Sequence, residues 1–289
     1  RRTDGYHLLQ SAFMLIDWWD VLHFDLREDG QLLRQDLGKP LPALDLCLKA
    51  AQALQKASGT SQGVLIRVQK NLPSEAGLGG GSSDAASTLL ALNRLWGLNW
   101  PRSRLLPLGA SLGADVPFFL GGRNAWVQGI GEQLQAMDLP PARFVVLKPQ
   151  QGLSTATIFQ DPALVRDSQP ATMLDFAAQP YAFGRNDLQA VAQRLCPEVI
   201  QALKWLENQS LQPRMTGSGS AVFAKIEPST VLPHPPEGWT WRICSKHGCA
   251  RYNLDGSCTY QNFVHTLFYI SGNTGATWHC CFIYLQWEN

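Results

Sequence analysis

A glycine- and serine-rich segment, residues 73–86 (PSEAGLGGGSSDAA), constrains this chain more than any other stretch. It follows a β-branched run at 64–68 and precedes an apolar stripe at helical spacing over 85–96, which predicts strand, loop and helix in that order. Glycines let backbone N–H groups approach an anion, and the start of a helix favours negative charge. The segment therefore predicts a binding loop for a triphosphate, with Ser82 or Ser83 capping the helix.

Two common phosphate-binding motifs do not describe this segment. No G-K-[ST] closes it, so it is not a P-loop, and its glycines do not fit the G-x-G-x-x-G register of dinucleotide-binding folds. A flexible glycine-rich linker is the alternative interpretation. A linker rarely lies between a β-branched strand and a helix with so regular an apolar stripe, which favours the nucleotide site.

Charge and composition limit the kind of partner. The chain has 289 residues, with 24 Lys plus Arg and 23 Asp plus Glu, so its formal net charge is +1. A balanced charge argues against DNA or an anionic membrane as partner, and no run of about 18 apolar residues suggests a transmembrane helix. No secretory signal follows Arg1. We expect a cytoplasmic protein (or one of the plastid stroma) that acts on a small molecule, as a monomer or weak homodimer.

The last 42 or so residues differ in character from the rest. Five of the seven cysteines lie between Cys244 and Cys281, and residues 248–289 are rich in Cys, Trp, Tyr and Thr without a helical stripe. This tail is either a non-native extension or a β-rich appendage. His247, His265 and His279 are residue types that bind metals, but no C-x2-C pair supports a metal site in the tail, so we assign no metal ligand there.

The remaining patterns predict a chain of two domains. Pro140 and Pro141 interrupt any regular element, so we place one domain at 1–140, a second at 141–247 and the tail at 248–289. The predicted elements are two strands within 8–26 interrupted near 17–20, a helix at 46–57 stopped by Gly59, a helix at 102–112, strands at 126–127 and 144–147, helices at 186–195 and 198–207, and a strand-turn-strand unit at 215–226.

Four segments share one resemblance. They are residues 2–10 (RTDGYHLLQ), the glycine-rich segment at 73–86, residues 112–119 (LGADVPFF) and residues 215–224 (MTGSGSAVFA). Together they resemble the GHMP kinase superfamily over residues 1 to about 246. The resemblance implies an α+β fold, that is, a two-domain α/β architecture. Its N-terminal domain would be like domain 2 of ribosomal protein S5, its C-terminal domain ferredoxin-like, and its active site would lie between them.

With its extra glycine, the segment at 79–83 resembles the corresponding segment in one branch of that superfamily. This resemblance implies a particular reaction. ATP, with Mg²⁺, would phosphorylate the 2-hydroxyl of 4-diphosphocytidyl-2-C-methyl-D-erythritol, a step of non-mevalonate (MEP pathway) isoprenoid biosynthesis. The chain would then be a phosphotransferase with an alcohol acceptor. Another small-molecule kinase of the superfamily and a non-catalytic nucleotide-binding fragment remain as alternatives.

The resemblance also implies roles for individual residues. Asp115 would be the general base, and Tyr6, His7, Thr155 and Phe159 would bind the cytidine substrate. The nucleotide would contact Lys70, Pro73, Ser74, Glu75, Ala76, Gly77, Leu78, Gly79, Gly80, Gly81, Ser82 and Ser83. Ser82 or Ser83 is the best candidate for a Mg²⁺ ligand. In the superfamily an N-terminal Lys in a P-A-K-x-N strand pairs with the base, and we expect that strand upstream of Arg1.

Overall fold

The computed structural model describes residues 9–43, 45–166 and 168–246 with their side chains, and the backbone of three tail strands. Tyr6 and His7, which the sequence analysis assigned to the substrate, lie outside the described residues. Among the described residues, no helix is both long and apolar enough to cross a membrane.

The described chain contains runs of strands and runs of helices. The strands are β1 (Leu9–Ile16), β2 (Asp20–Arg27), β3 (Leu32–Asp36), β4 (Gly63–Gln69), β5 (Ala125–Gly129), β6 (Gln133–Ala136), β7 (Arg143–Lys148), β8 (Arg214–Met215), β9 (Val222–Ile226), β10 (Thr240–Ser245), β11 (Tyr269–Ile270), β12 (Gly275–Cys280) and β13 (Ile283–Glu288). The helices are α1 (Leu46–Ser58), α2 (Gly80–Leu95), α3 (Arg102–Leu112), α4 (Val116–Gly121), α5 (Thr155–Gln160), α6 (Met173–Ala178), α7 (Gln189–Leu195) and α8 (Pro197–Glu207).

These strands form three sheets. Their orders are β11-β12-β2-β4-β3, β13-β1-β5-β6 and β10-β7-β9-β8. All neighbouring pairs run antiparallel except β3 and β4. One tail strand is added to each of the first two sheets. In the first sheet β12 pairs with β2, and in the second β13 pairs with β1. The mixture of helices with largely antiparallel sheets confirms the predicted α+β class.

Strand β1 separates two hydrophobic cores. Phe13 and Leu15 point into a core formed with α1, α2 and α4, whereas Met14 and Ile16 point into a second core formed with β7 and β9. All four side chains are fully buried. A strand buried on both faces loses the alternation of apolar and polar residues, which explains why residues 12–16 read as a continuous apolar run.

Strand β7 has the same double burial. Phe144 and Val146 face the second core, while Val145 and Leu147 face a third core that includes α7 and α8. The core between β1 and β7 therefore joins the first part of the chain to the second. The boundary predicted after residue 140 lies in the connection between β6 and β7, which belong to different sheets.

Most predicted elements are confirmed, and the differences are confined to short ones. The sequence patterns did not reveal α4, α5, α6, β3, β6 and β10, which have four to six residues each. Each of these helices contains fewer than two turns and each of these strands has at most six residues, so the apolar period is too short to recognise.

Candidate active site

The glycine-rich segment connects β4 to α2, as predicted, but its cap differs from the prediction. The N-cap of α2 is Gly79, in the left-handed conformation with φ of 68°, and no side chain caps the helix. The amide of Ser83 donates to the carbonyl of Gly79 at 2.9 Å, so Ser82 and Ser83 lie inside the first turn. The prediction that one of them caps α2 was wrong, because glycine reaches this conformation without a Cβ penalty.

The same loop is fastened to the turn between β8 and β9. Gly77 has φ of 65°, and a Cβ built on it would collide with the carbonyl of Thr216 and lie 2.7 Å from the amide nitrogen of Gly219. Two backbone hydrogen bonds, of 3.1 and 3.2 Å, join residues 75–76 to residues 220–221. A glycine at 77 therefore lets two backbones from different sheets meet closely.

A buried asparagine holds the turn on the other side. The side-chain nitrogen Nδ2 of Asn186 donates to the carbonyls of Met215 and Gly217, at 2.9 and 2.8 Å. Its Oδ1 accepts from the backbone amide of Leu188 at 2.9 Å. Asn186 is only 7% exposed. Sequence reasoning missed this residue, because an asparagine ahead of a helix is normally explained as a helix cap.

Lys70 begins the loop and forms a buried ion-pair cluster. Its ammonium donates to Asp20 and, at 2.7 Å, to Asp84. Burial alone would lower the pKa of Lys70, but Asp84 and Asp20 raise the pKa well above its ordinary value. Sequence reasoning missed both carboxylates, although a charged residue inside an apolar strand or helix pattern is a usable signal.

Asp115 stands at the corner where α3 leads into α4. It is the N-cap residue of α4, and its carbonyl accepts from the amide of Phe118 at 3.1 Å. The first five residues of α4 are buried, so the helix supports the aspartate rigidly. A Cβ built on Gly113 would lie 3.9 Å from the hydroxyl of Ser82, which brings the Asp115 corner beside the first turn of α2.

One cavity of about 1440 Å³ joins these features. Of the predicted site residues, those that line it are Lys70, Pro73, Ser74, Glu75, Ala76, Gly77, Leu78, Gly79, Gly80, Gly81, Ser82, Asp115, Thr155 and Phe159. Ser83 is buried beneath the turn instead. We call residues 70–84 the donor wall of this cavity, and residues 155–166 with 168–170 the acceptor wall.

The acceptor wall consists of α5 and the segment that follows it. The hydroxyls of Thr155 and Ser218 lie 2.7 Å apart, which links α5 to the turn between β8 and β9. Arg166 donates to the carbonyls of Leu164, Asp161 and Phe159 at 2.9, 2.9 and 3.3 Å. This wall is therefore shaped by side chains that reach over an exposed segment.

The start of α2 gives the cavity a feature that suits an anion. The first N–H groups of a helix have no partner within the helix, and they present partial positive charge to the cavity at the start of α2. Within residues 9–43, 45–166 and 168–246, no group of three His, Cys, Asp or Glu side chains could hold a metal ion.

Comparison with known proteins bears on this site. Residues 45–123 match the model of the GHMP kinases N terminal domain, and residues 171–231 match GHMP kinases C terminal. The fold is also that of a homoserine kinase structure from Cytophaga hutchinsonii, with a TM-score of 0.62 at 14% identity, covering 84% of this chain and 95% of that one. The matched domain models, together with this fold, place the chain among the GHMP kinases.

Curated relatives narrow the class. A "4-diphosphocytidyl-2-C-methyl-D-erythritol kinase" of Albidiferax ferrireducens is 60% identical over 84% of this chain and 85% of its own length. A second, of Paracidovorax citrulli, is 58% identical over 84% and 87%. A crystal structure of a 4-(cytidine 5'-diphospho)-2C-methyl-D-erythritol kinase superposes with a TM-score of 0.69 at 33% identity, over 86% of this chain and 93% of that one. The chain belongs to the family of 4-diphosphocytidyl-2-C-methyl-D-erythritol kinases.

Proposed function

We propose that this chain transfers the terminal phosphoryl group of ATP to the 2-hydroxyl of 4-diphosphocytidyl-2-C-methyl-D-erythritol. The family supports the reaction, and one structural observation supports the site. Asp115, the N-terminal turn of α2 and the acceptor wall line a single cavity. A phosphate, a base and an alcohol can therefore be brought together there.

The donor wall would hold the nucleotide. Backbone N–H groups of Gly80, Gly81 and Ser82 lie at the start of a helix of 16 residues, where free N–H groups and the helix dipole favour phosphate oxygens. Mg²⁺ supplies charge neutralisation on the phosphates in phosphoryl transfer. The hydroxyl of Ser82 is an oxygen of the kind that Mg²⁺ accepts, whereas the buried Ser83 is less suited to reach it.

Asp115 would act as the general base. Asp115 lines the cavity, and the neighbouring Gly113 approaches Ser82 in the first turn of α2. An alcohol bound there would lose its proton to the Asp115 carboxylate while it attacks the phosphate. Positioned proton transfer of this kind accelerates reactions by about 10² to 10⁴.

The acceptor wall would bind the cytidine end of the substrate. Phe159 offers an aromatic face for stacking on a pyrimidine, and Thr155 offers a hydroxyl for its polar edge. Tyr6 and His7 are further candidates from the family resemblance. The alternatives are another alcohol acceptor or nucleotide binding without transfer.

A phosphoryl-transfer assay tests the proposal. The chain is incubated with ATP, Mg²⁺ and 4-diphosphocytidyl-2-C-methyl-D-erythritol, and the position of the new phosphate is determined by NMR. Parallel reactions contain mevalonate or homoserine as the acceptor. Transfer to the 2-hydroxyl supports the proposal. Preferred transfer to another acceptor, or nucleotide binding without transfer to any of them, contradicts it.

The variant Asp115→Asn tests the assigned base. The amide keeps the size of the side chain but cannot accept the proton, so kcat should fall by about 10² to 10⁴. The dissociation constant for ADP should stay within about twofold, because the phosphate contacts are made by other residues. Asp138→Asn is a matched control, since that side chain is 96% exposed and does not line the cavity. An unchanged kcat in Asp115→Asn would remove Asp115 from the mechanism.

A further inference from the structure

Asp20, the first residue of β2, is a fully buried carboxylate that contacts the start of the donor wall. Its Oδ1 accepts from the amides of Asn71 and Leu72 at 2.6 and 2.8 Å. Its Oδ2 accepts from the ammonium of Lys70. One side chain therefore fixes three consecutive residues of the segment that leads from β4 into the glycine-rich loop.

The ammonium of Lys70 is held at a place that is electrostatically unfavourable for a free cation. A Cβ built on Gly80 would lie 3.6 Å from Lys70 Nζ, so the ammonium sits near the positive end of α2. Asp84 and Asp20 supply the compensating charge. Two carboxylates around one ammonium leave the cluster net negative, so it does not serve to attract a triphosphate.

A path of contacts leads from Asp20 to the first turn of α2. The amide of Leu72 donates to Asp20, and the Leu72 side chain is 5% exposed. A Cβ built on Gly80 would lie 3.2 Å from the Cδ1 of Leu72. The backbone at Gly80 therefore rests on a side chain whose own backbone is fixed by Asp20.

We infer that Asp20 is a positioning residue of the nucleotide site. It acts through Lys70 and Leu72 to hold the first turn of α2 in the place where its N–H groups meet the phosphates. Asp20 itself does not line the cavity, whereas Lys70, Leu72 and Gly80 do. The inference rests on the proposed function only in that ATP binds at the donor wall.

Binding measurements on the whole chain test this role by isothermal titration. ADP reports on the donor wall, and CDP reports on the acceptor wall. Asp20→Asn keeps an oxygen for the two backbone amides but removes the charge that faces Lys70. Because a hydrogen bond to a charged group contributes more than a neutral one, we expect ADP affinity to fall about tenfold. CDP affinity should change by less than about twofold, since Asp20 bonds to Lys70, Asn71 and Leu72 at the start of the donor wall.

A double-mutant cycle tests whether Asp20 acts through Lys70. Lys70→Met alone should also weaken ADP binding about tenfold, and the double variant should be no weaker than either single one. A combined loss of about a hundredfold, the additive result, would overturn the coupling. Equal ADP affinity of Asp20→Asn and the unsubstituted chain, or an equal loss for ADP and CDP, would overturn the positioning role.

Asp25→Asn is the matched control. Asp25 lies on the same strand and pairs with Arg67 at the surface, outside the cavity, so its substitution should leave both affinities unchanged. If Asp20→Asn does not fold, Lys70→Met is measured alone, and unchanged ADP affinity there overturns the inference. If the unsubstituted chain binds no ADP, the proposed function fails as well. If it binds ADP and only the variants differ in affinity, the result bears on the role of Asp20 alone.

Discussion

The two walls of the cavity are built by different means. The donor wall is fixed largely by backbone atoms and buried charges. Gly77 meets the turn between β8 and β9 backbone to backbone, and Lys70 lies between two buried carboxylates. The acceptor wall is held by the Thr155–Ser218 hydrogen bond and by Arg166, which spans an exposed segment. The donor wall is fixed within the folded core, whereas the acceptor wall is mostly exposed and buries only Ile158 and Leu164, of its described residues, in the third core.

This difference suits a kinase that receives two ligands. Phosphate groups are bound well by preorganised N–H groups, which must not move when charge develops. A larger acceptor has to enter and leave, and surface segments held by few contacts open at low cost in free energy. We therefore expect substitutions in the donor wall to affect both folding and binding, and substitutions in the acceptor wall to affect binding alone.

The largest effect is expected for Gly77→Ala. A non-glycine residue at φ of 65° is strained by about 1–3 kcal/mol, and the new methyl group would also collide with the carbonyl of Thr216. Both the free energy of unfolding and the ADP affinity should therefore fall. Chemical denaturation and titration measure the two quantities.

Gly59→Ala separates strain from collision. Gly59 has φ of 70°, but nothing lies within 4 Å of a Cβ built there. The substitution should lower the free energy of unfolding by about 1 kcal/mol, which is the strain of the left-handed backbone alone, and should leave ADP affinity unchanged. If Gly77→Ala lowers the free energy of unfolding no more than this control does, the close contact between the loop and the turn does not contribute to stability.

An intermediate effect is expected on the acceptor wall, for Thr155→Val. Thr155 is exposed and its hydroxyl lies 2.7 Å from that of Ser218, so its loss should change the free energy of unfolding by less than about 0.5 kcal/mol. CDP affinity should fall about fivefold, because one hydrogen-bonding group is removed. ADP affinity should not change.

Thr157→Val is the control on the same helix. Thr157 is also exposed, but it does not line the cavity. Equal effects of the two substitutions on CDP affinity would show that the change at 155 acts through α5 as a whole. An effect of Thr155→Val on ADP affinity would contradict the separation of the two walls.

The donor wall was also the more predictable of the two. Residues 73–86 carry a local pattern, in which glycines follow a β-branched strand and precede a long amphipathic helix, and local patterns are what a sequence displays. The pairing of Lys70 with Asp20 joins residues 50 positions apart, and that of Thr155 with Ser218 joins residues 63 apart. Such contacts are set by how sheets pack, which no window of sequence contains.

The sequence also failed to predict elements that are short. Helix α5 has six residues and α6 has six, so neither buries a stripe that could be recognised. The cap of α2 was misassigned because serine is usually preferred at that position. Here the loop must turn through a left-handed residue, and Gly79 meets that requirement. Tertiary geometry thus outweighed local preference at the centre of the site.

The smallest expected effect concerns acidic pH and is expected for the acceptor wall and for α6, which follows it in the chain. The amide of Ala163, with Arg194, lowers the pKa of Asp161, and the hydroxyl of Thr172 lowers the pKa of Asp175. A carboxylate with a lowered folded-state pKa stabilises the fold above its unfolded pKa of about 3.9, and that contribution is lost as the pH falls through the folded value. Lys70 has a raised pKa, so its contribution is lost only at alkaline pH, above about 10.4.

Acid should therefore loosen residues 155–178 before residues 70–84. Hydrogen exchange, corrected for intrinsic rates and followed from pH 6 to pH 3, should show protection falling first in peptides from α5 and α6. In Asp175→Asn the protection of α6 should be lower at pH 6 and should change less with pH, because the titrating group of its capping box is gone. Simultaneous loss in both walls would mean that they unfold as one cooperative unit, and the contrast between a core-built donor side and a surface-built acceptor side would not hold.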